Sequence, residues 1–297
     1  MVQNFKIYFS SRKSSVVWTF FCHVHWQLFL HLTHTLSKFV PLDLNHMANQ
    51  EISKAFNLIF TYPIWRIEID AKNKLIAIET RNPEDTFPYF NVITFEGTCV
   101  LQDFKAITRE WVLGGIQCKK LILKKISNNS PIDAGVQVID CYNPQYQETW
   151  FNYVFISLVD QGLLIRPKTV AQGQQLFLNI QSMSIESKNL ITIKPYTSEL
   201  VYPIIYNGEI PLFLKDFPID GDIWINRVND YFIWAFYEKQ KNNHYQVRLV
   251  QSTREMLTES ILAVSGLELK LFNIYFLIHG QIFLLTDNKR EFVSYLV

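Results

Sequence analysis

The strongest constraint on the fold is the alternation of apolar and charged residues in Ile64–Asp70. An extended chain places Trp65, Ile67 and Ile69 on one side of this segment and three charged residues on the other. Side chains of a β-strand point alternately to its two faces, whereas those of a helix repeat every 3.6 residues. The pattern therefore predicts a β-strand with one apolar face and one charged face.

A second alternating segment, Leu75–Arg81, follows after only four residues, and the two together predict a β-hairpin. In this pairing Ile69 lies opposite Ile76, and Arg66 lies opposite Glu79 as a favourable cross-strand charge pair. A shift of one residue would break both matches, so the sequence predicts the register as well as the hairpin.

Similar short runs continue to the carboxy terminus, separated by turn residues. Aromatic residues, which suit a pleated sheet, make up 15% of the chain. Strands at intervals of about 8–12 residues favour a sandwich, barrel or propeller over βαβ units. The predicted strands are 64–70, 75–81, 90–95, 120–126, 136–142, 153–159, 163–167, 175–180, 189–194, 200–205, 209–214, 223–228, 231–237, 245–250, 267–272, 274–278, 281–286 and 292–296.

The grouping of these runs favours an all-β, propeller-like array of antiparallel β-meanders. Residues 223–250 read as three consecutive strands, and residues 267–285 read as the next such unit. Units of about 40–45 residues with four strands are typical of propeller blades, and 47–297 has room for about five or six. A large β-barrel or sandwich is the alternative.

Helical patterns are scarce. Residues 48–59 are predicted as a short amphipathic helix. Residues 253–264 fit either a helix or a long outer strand interrupted by a turn.

Residues 1–46 differ in composition from the rest: they contain five of the seven histidines, and four Lys or Arg against one acidic residue. Their apolar stretch at 16–32 is interrupted by polar residues such as His23, so it fits a signal peptide or a membrane span poorly. Its histidines lack the companion ligands of a metal site. We expect a single β domain at 47–297 beginning at Met47, with the preceding segment untranslated, a weak membrane anchor or a structural element.

The charge balance does not indicate a nucleic-acid partner. The formal net charge is +1, and the densest cationic group is typical of solvated strand ends: Lys119, Lys120, Lys124 and Lys125. The four cysteines are widely spaced, which predicts buried, reduced thiols in a cytoplasmic protein. No cofactor or metal is predicted, and membrane association is expected only if residues 1–46 belong to the protein.

The hairpin residues 65–70 and 78–81 carry a resemblance to a family known as a domain of unknown function (DUF4905), and residues 231–250 add a weaker similarity. The resemblance covers most of 47–297 and implies an all-β fold. The family has no established activity, so it implies no functional residue. Residues 1–46 lie outside it.

The charged residues of the hairpin are the candidate binding site. Arg66, Glu68, Glu79 and Arg81, together with Trp65, would bind a polar ligand if their strands line a propeller channel. On an open surface the same charges would form a ladder of ion pairs, each worth under about 1 kcal/mol. No catalytic residue is predicted.

The remaining polar motifs are better explained as turns. Gly114-Gly115 lacks the spacing of a phosphate-binding loop. His244 and His279 each adjoin a predicted hairpin turn, and Asp220-Gly221-Asp222 matches only part of a calcium loop.

Together these patterns favour a non-enzymatic domain that holds a protein or peptide at one end of a propeller-like array. The alternative is a hydrolase-like enzyme acting on a polar small molecule in a central pocket. Convergence of the hairpin charges in one concave site would favour the enzyme.

Overall fold

The computed structural model describes residues 51–126, 135–169, 175–186, 193–271, 274–286 and 289–297. Residues 51–297 fall in one compact unit. The described part consists of β-strands and one short 3-10 helix, Leu212–Leu214. Its strands form five separate antiparallel sheets of four or five strands. This confirms the predicted all-β, propeller-like array of meanders, with five blades.

Consecutive strands pair within each sheet, and the sheets are numbered here as blades in chain order. The first strand, β1 (Ser53–Ile59), belongs to the last blade. Blade 1 contains β2 (Ile64–Asp70), β3 (Leu75–Arg81), β4 (Pro88–Thr94) and β5 (Cys99–Lys105). Blade 2 contains β6 (Trp111–Gln117), β7 (Lys120–Lys125), β8 (Val136–Asp140) and β9 (Gln147–Trp150).

The later blades follow the same plan. Blade 3 contains β10 (Tyr153–Val159), β11 (Gly162–Pro167), β12 (Leu176–Asn179) and β13 (Ser184–Glu186). Blade 4 contains β14 (Ile204–Ile205), β15 (Ile219–Val228), β16 (Tyr231–Lys239), β17 (Tyr245–Ser252) and β18 (Leu257–Leu267). Blade 5 contains β19 (Phe276–Ile278), β20 (Gln281–Leu285) and β21 (Glu291–Leu296), with β1 as its fourth strand.

Blade 5 is completed by both ends of the described domain. β1 runs antiparallel to β21, with Ser53 opposite Leu296 and Ile59 opposite Glu291. Because β1 and β21 pair along these edges, the backbone N–H and C=O groups between them are not open to pairing with another chain.

The apolar cores lie between neighbouring blades. Separate clusters join blades 5 and 1, blades 1 and 2, blades 2 and 3, and blades 4 and 5. Strand β3 shows the principle, because Ile76 and Ile78 pack towards blade 5 whereas Leu75 and Ala77 pack towards blade 2. A strand between two blades is therefore buried on both faces, and its polar residues have to find partners inside the protein.

The predicted hairpin is confirmed in register, with Ile69 opposite Ile76 and Arg66 opposite Glu79. The prediction that Gly114-Gly115 forms a turn was wrong, because both residues lie within β6. A Cβ atom at Gly114 would lie 3.2 Å from the carbonyl oxygen of Ile122. Glycine is used here so that neighbouring backbones can approach closely.

Other local predictions differ from the structure. The described part of the predicted helix 48–59 forms β1, because pairing with β21 overrides its local pattern. The outer-strand alternative for 253–264 is confirmed by β18. The strand predicted at 209–214 is not formed, and its last three residues are the 3-10 helix. Of the strand predicted at 267–272, only residue 267 is in a strand, as the last residue of β18. The strand predicted at 189–194 lies mostly outside the described residues.

The predictions for residues 1–46, including a start at Met47, fall outside the described residues. Within the described ranges, no helix has both the length and the apolar content needed to cross a membrane.

Candidate functional site

Three hairpin turns from different blades line one cleft of about 260 Å³. They are the turns that join β2 to β3, β6 to β7, and β10 to β11. Residues 194–199 form the remaining wall. The cleft is therefore built by blades 1, 2 and 3 together with one connecting segment.

The connecting segment belongs to residues 193–203, named here the strap. At blade 3 the Asp160 N–H donates to the Lys194 carbonyl at 2.9 Å, and Pro195 forms an isolated bridge with Val159. At blade 1 the Tyr196 hydroxyl donates to the Ile69 carbonyl at 2.6 Å. These contacts fix the amino-terminal half of the strap across the cleft.

The other half of the strap is attached to blade 5. Glu199 lies 2.8 Å from Nε2 of His279 in the turn between β19 and β20. Val201 and Leu277 exchange two backbone hydrogen bonds of 2.9 Å each. The strap thus connects blades 3, 1 and 5 although it forms no extended sheet of its own.

Gln117 is the feature that most clearly indicates a ligand. It ends β6, lines the cleft and is 5% exposed, yet its Oε1 has no hydrogen-bond partner. A buried polar atom without a partner costs free energy, and most such atoms in folded proteins are satisfied. A ligand that donates a hydrogen bond to Oε1 would remove this cost.

Asp70 adds a buried carboxylate to the same wall. It is 2% exposed and accepts hydrogen bonds from the Asn73 backbone N–H at 3.1 Å and from Asn73 Nδ2 at 2.7 Å. The two bonds shape the turn between β2 and β3 and hold the carboxylate in place.

The groups beside Asp70 are held in their neutral forms. Burial raises the pKa of the Tyr196 hydroxyl far above its ordinary value, with further contributions from Asp70, Glu68 and Glu199. Burial, assisted by the negative charge of Asp70, also raises the pKa of the Cys118 thiol. Neither group is prepared to act as a nucleophile at neutral pH.

We expect the Tyr196→Phe variant to loosen the strap, because the buried Ile69 carbonyl loses its hydroxyl donor. A loss of about 1–3 kcal/mol in the free energy of local opening corresponds to amide exchange that is about 5-fold to 160-fold faster at Val201 and Leu277, measured by hydrogen exchange. Tyr206→Phe is the matched control, since that hydroxyl also donates to a backbone carbonyl, of Glu209, at an exposed site. Unchanged exchange in Tyr196→Phe would show that the hydroxyl does not hold the strap.

Most of the charged residues selected from the sequence lie between blades 1 and 2 and not in this cleft. Glu79 is fully buried, and its Oε2 accepts the Leu113 backbone N–H at 2.8 Å. Nη1 of Arg66 donates to the Leu113 carbonyl at 2.6 Å, and Nε of Arg81 lies 2.7 Å from Glu79 Oε1. Arg66, Glu79 and Arg81 therefore clamp β6 against blade 1, and they are named here the interblade clamp.

The other two selected residues lie on either side of this arrangement. The ring of Trp65 is 37% exposed and lies 5.4 Å from the Arg81 guanidinium carbon. Glu68 is half-buried, and its charge adds to the effect of burial in raising the pKa values of Tyr196 and Tyr202 on the strap. Only Glu68 connects the sequence-based candidates with the cleft.

The remaining sequence motifs occupy ordinary structural positions. His244 lies in the hairpin turn between β16 and β17, and Asp220 pairs with Lys270 at 3.1 Å. Among the described cysteines, Cys141 is buried, Cys118 is half-buried and Cys99 is exposed, so the expected burial is confirmed only for Cys141. Within the ranges that the structure describes, no three His, Cys, Asp or Glu residues group as metal ligands.

Comparisons with known proteins assign no family. No family model matches the chain, and no curated protein matches it. Among solved structures, the chain is similar to that titled "Crystal structure of BBS1N in complex with ARL6DN, soaked with mercury". The two share 9% identity over 82% of this chain and 96% of that chain, with a TM-score of 0.20. A likeness at this score carries no argument, so the fold assignment rests on the strand pairing.

Proposed function

We propose that this chain is a non-enzymatic binding domain that holds a polar group of a protein or peptide in the cleft under the strap. The observation that carries the proposal is the unpaired, buried Oε1 of Gln117 in a cleft built by three blades. Propeller-like arrays commonly present turns from several blades at one end, which suits binding by residues distant in sequence.

The size of the cleft favours one side chain over a complete small-molecule substrate. Its volume of about 260 Å³ lies below the range of roughly 300–1,000 Å³ that is usual for pockets enclosing a drug-sized ligand. A side chain of a partner protein would fill it while the rest of the partner contacts the surrounding turns.

The chemistry of the site favours binding over the hydrolase-like alternative. The raised pKa values keep the Cys118 thiol and the Tyr196 hydroxyl protonated, so neither supplies an anionic nucleophile. The charges expected to line a central pocket for the enzyme, those of Glu79 and Arg81, are engaged with each other and with the backbone of blade 2.

The proposal is tested by blocking the mouth of the cleft. Thr197 is exposed on the strap and lines the cleft, so Thr197→Trp is expected to reduce recovery of a bound partner about tenfold in a native pull-down through a carboxy-terminal tag. Thr98→Trp is the control, because Thr98 is also exposed, in the turn between β4 and β5, but does not line the cleft.

Two results would contradict the proposal. One is a stoichiometric partner retained by Thr197→Trp at the wild-type level. The other is recovery of the wild-type chain alone after cross-linking in native extract, which would show that no protein occupies the cleft.

A further inference from the structure

We infer that the group held under the strap is a hydrogen-bond-donating cation, an alkylammonium or guanidinium such as the end of a lysine or arginine side chain. This inference rests on the proposed function and specifies the ligand of the same cleft. It follows from which donors and acceptors remain available there and from the sign of the buried charge.

One buried polar atom of the cleft, Gln117 Oε1, lacks a hydrogen-bond donor. Gln117 offers a buried acceptor with no partner. The Tyr196 hydroxyl already donates to Ile69, and the backbone and side-chain amide groups of Asn73 already donate to Asp70. A ligand that only accepts hydrogen bonds, such as a carboxylate or phosphate, would leave Gln117 Oε1 unsatisfied.

The buried charge of the cleft lining is negative, because it is the carboxylate of Asp70. Asp160 and Glu199 also line the cleft but are exposed, Glu199 is paired with His279, and Glu68 lies close enough to influence Tyr196. The cations of the lining are Lys72 and Lys194, and both are exposed. Their long, flexible stems let the ammonium groups stay in solvent, whereas Asp70 is held at 2% exposure by its turn.

Burial of Asp70 makes its charge effective towards a ligand. A carboxylate removed from water attracts a nearby cation more strongly than an exposed one, because solvent screens it less. An ammonium or guanidinium group carries several N–H donors, so it can face the carboxylate and also donate to Gln117 Oε1. A neutral donor would satisfy Gln117 but would gain nothing from the negative field.

The ligand class is tested by calorimetric titration of the full chain with end-blocked tripeptides. Ala-Lys-Ala and Ala-Arg-Ala are expected to bind at least tenfold more tightly than Ala-citrulline-Ala, whose side chain donates similar hydrogen bonds without the charge. Agmatine and butylammonium distinguish a free amine from a side chain of a peptide. Tighter binding by the peptides identifies a protein partner, and tighter binding by the free amines identifies a small molecule.

Two glutamines provide matched variants for the same titration. Gln117→Met is expected to weaken binding of the cationic peptides about tenfold. Gln137 on β8 is also buried, its Oε1 also lacks a hydrogen-bond partner, and it does not line the cleft. Gln137→Met should therefore bind like the wild type, and a thermal melt of both variants checks that they are folded.

The outcomes separate this inference from the proposed function. Equal binding of the citrulline and arginine peptides would overturn the cationic ligand. The inference would also be overturned if no cationic probe binds while Thr197→Trp still loses its protein partner. That result would leave the proposed binding function intact. If Gln117→Met and Gln137→Met weaken binding of the cationic peptides equally, Gln117 does not contact the cation.

Discussion

Replacement of Glu79 by Gln is expected to lower the free energy of unfolding by about 3–5 kcal/mol, as for other buried ion pairs that lose one partner. Glu79 is fully buried, and Arg81 beside it is only 16% exposed at its side chain. The glutamine keeps an acceptor for the Leu113 N–H but removes the negative charge that pairs with Arg81 and lies opposite Arg66 in the hairpin. The Arg81 guanidinium then remains between blades 1 and 2 without the carboxylate with which it pairs.

Urea unfolding of the wild type and of Glu79→Gln measures this difference in the free energy of unfolding. Glu255→Gln is the control, since Glu255 is exposed and its substitution should change stability by no more than about 0.5 kcal/mol. A loss below about 1 kcal/mol for Glu79→Gln would place the pair in the range of surface ion pairs. The interblade clamp would then have no special role in joining the blades.

Replacement of Phe283 by Ala is expected to destabilise the fold by a similar amount, about 3–5 kcal/mol. The Phe283 ring is fully buried, with its centroid 5.2 Å from that of Phe276, 5.5 Å from Phe95 and 5.7 Å from Phe292. These rings belong to the cluster shared by blades 5 and 1. Alanine would leave a cavity in the contact that joins the last blade to the first.

Phe151→Ala provides the comparison, because Phe151 is 55% exposed and its ring lies edge-to-face with that of Trp111 at 6.2 Å. The free energy of unfolding of both variants is measured in urea. The dependence of this free energy on urea concentration is compared with that of the wild type. Equal losses in the two variants would show that the cluster between blades 5 and 1 contributes no more than a surface ring.

The local part of the fold was predictable because it depends on neighbouring residues. The alternation in β2 and β3 predicted their pairing and register, and the burial of the charged face was not predicted. Whether Arg66 and Glu79 meet water or another blade depends on packing between units distant in sequence. The pattern of one strand contains no information about that contact.

Strands that depend on distant partners were missed. β1 resembles a helix in its sequence and becomes a strand because β21 pairs with it. β6 contains two glycines, which usually indicate a turn, but here they allow close approach to β7 and blade 3. In both cases the tertiary contact outweighs the local preference.

The cleft could not be predicted for two reasons. The sequence of the strap has no periodic pattern, and the other walls of the cleft are turns from three blades that are distant in sequence. The available signal was a glutamine, Gln117, at the end of an otherwise apolar strand. A buried amide in such a position requires a partner, and the structure shows that its oxygen has none among the described residues. Of the residues chosen from the sequence as a binding site, Glu68 is the one shown to lie near the strap.

The pairing of β1 with β21 also bears on how the chain folds during synthesis. The partner of Ser53 is Leu296, so β1 leaves the ribosome long before the strand that will cover it exists. Contacts of such large sequence separation form late and slow the folding of β proteins. Blades 1 to 4 can assemble as the chain emerges, whereas β1 waits unpaired until β21 has been synthesised. During that interval the uncovered backbone of β1 is a site at which another chain can pair and begin to aggregate.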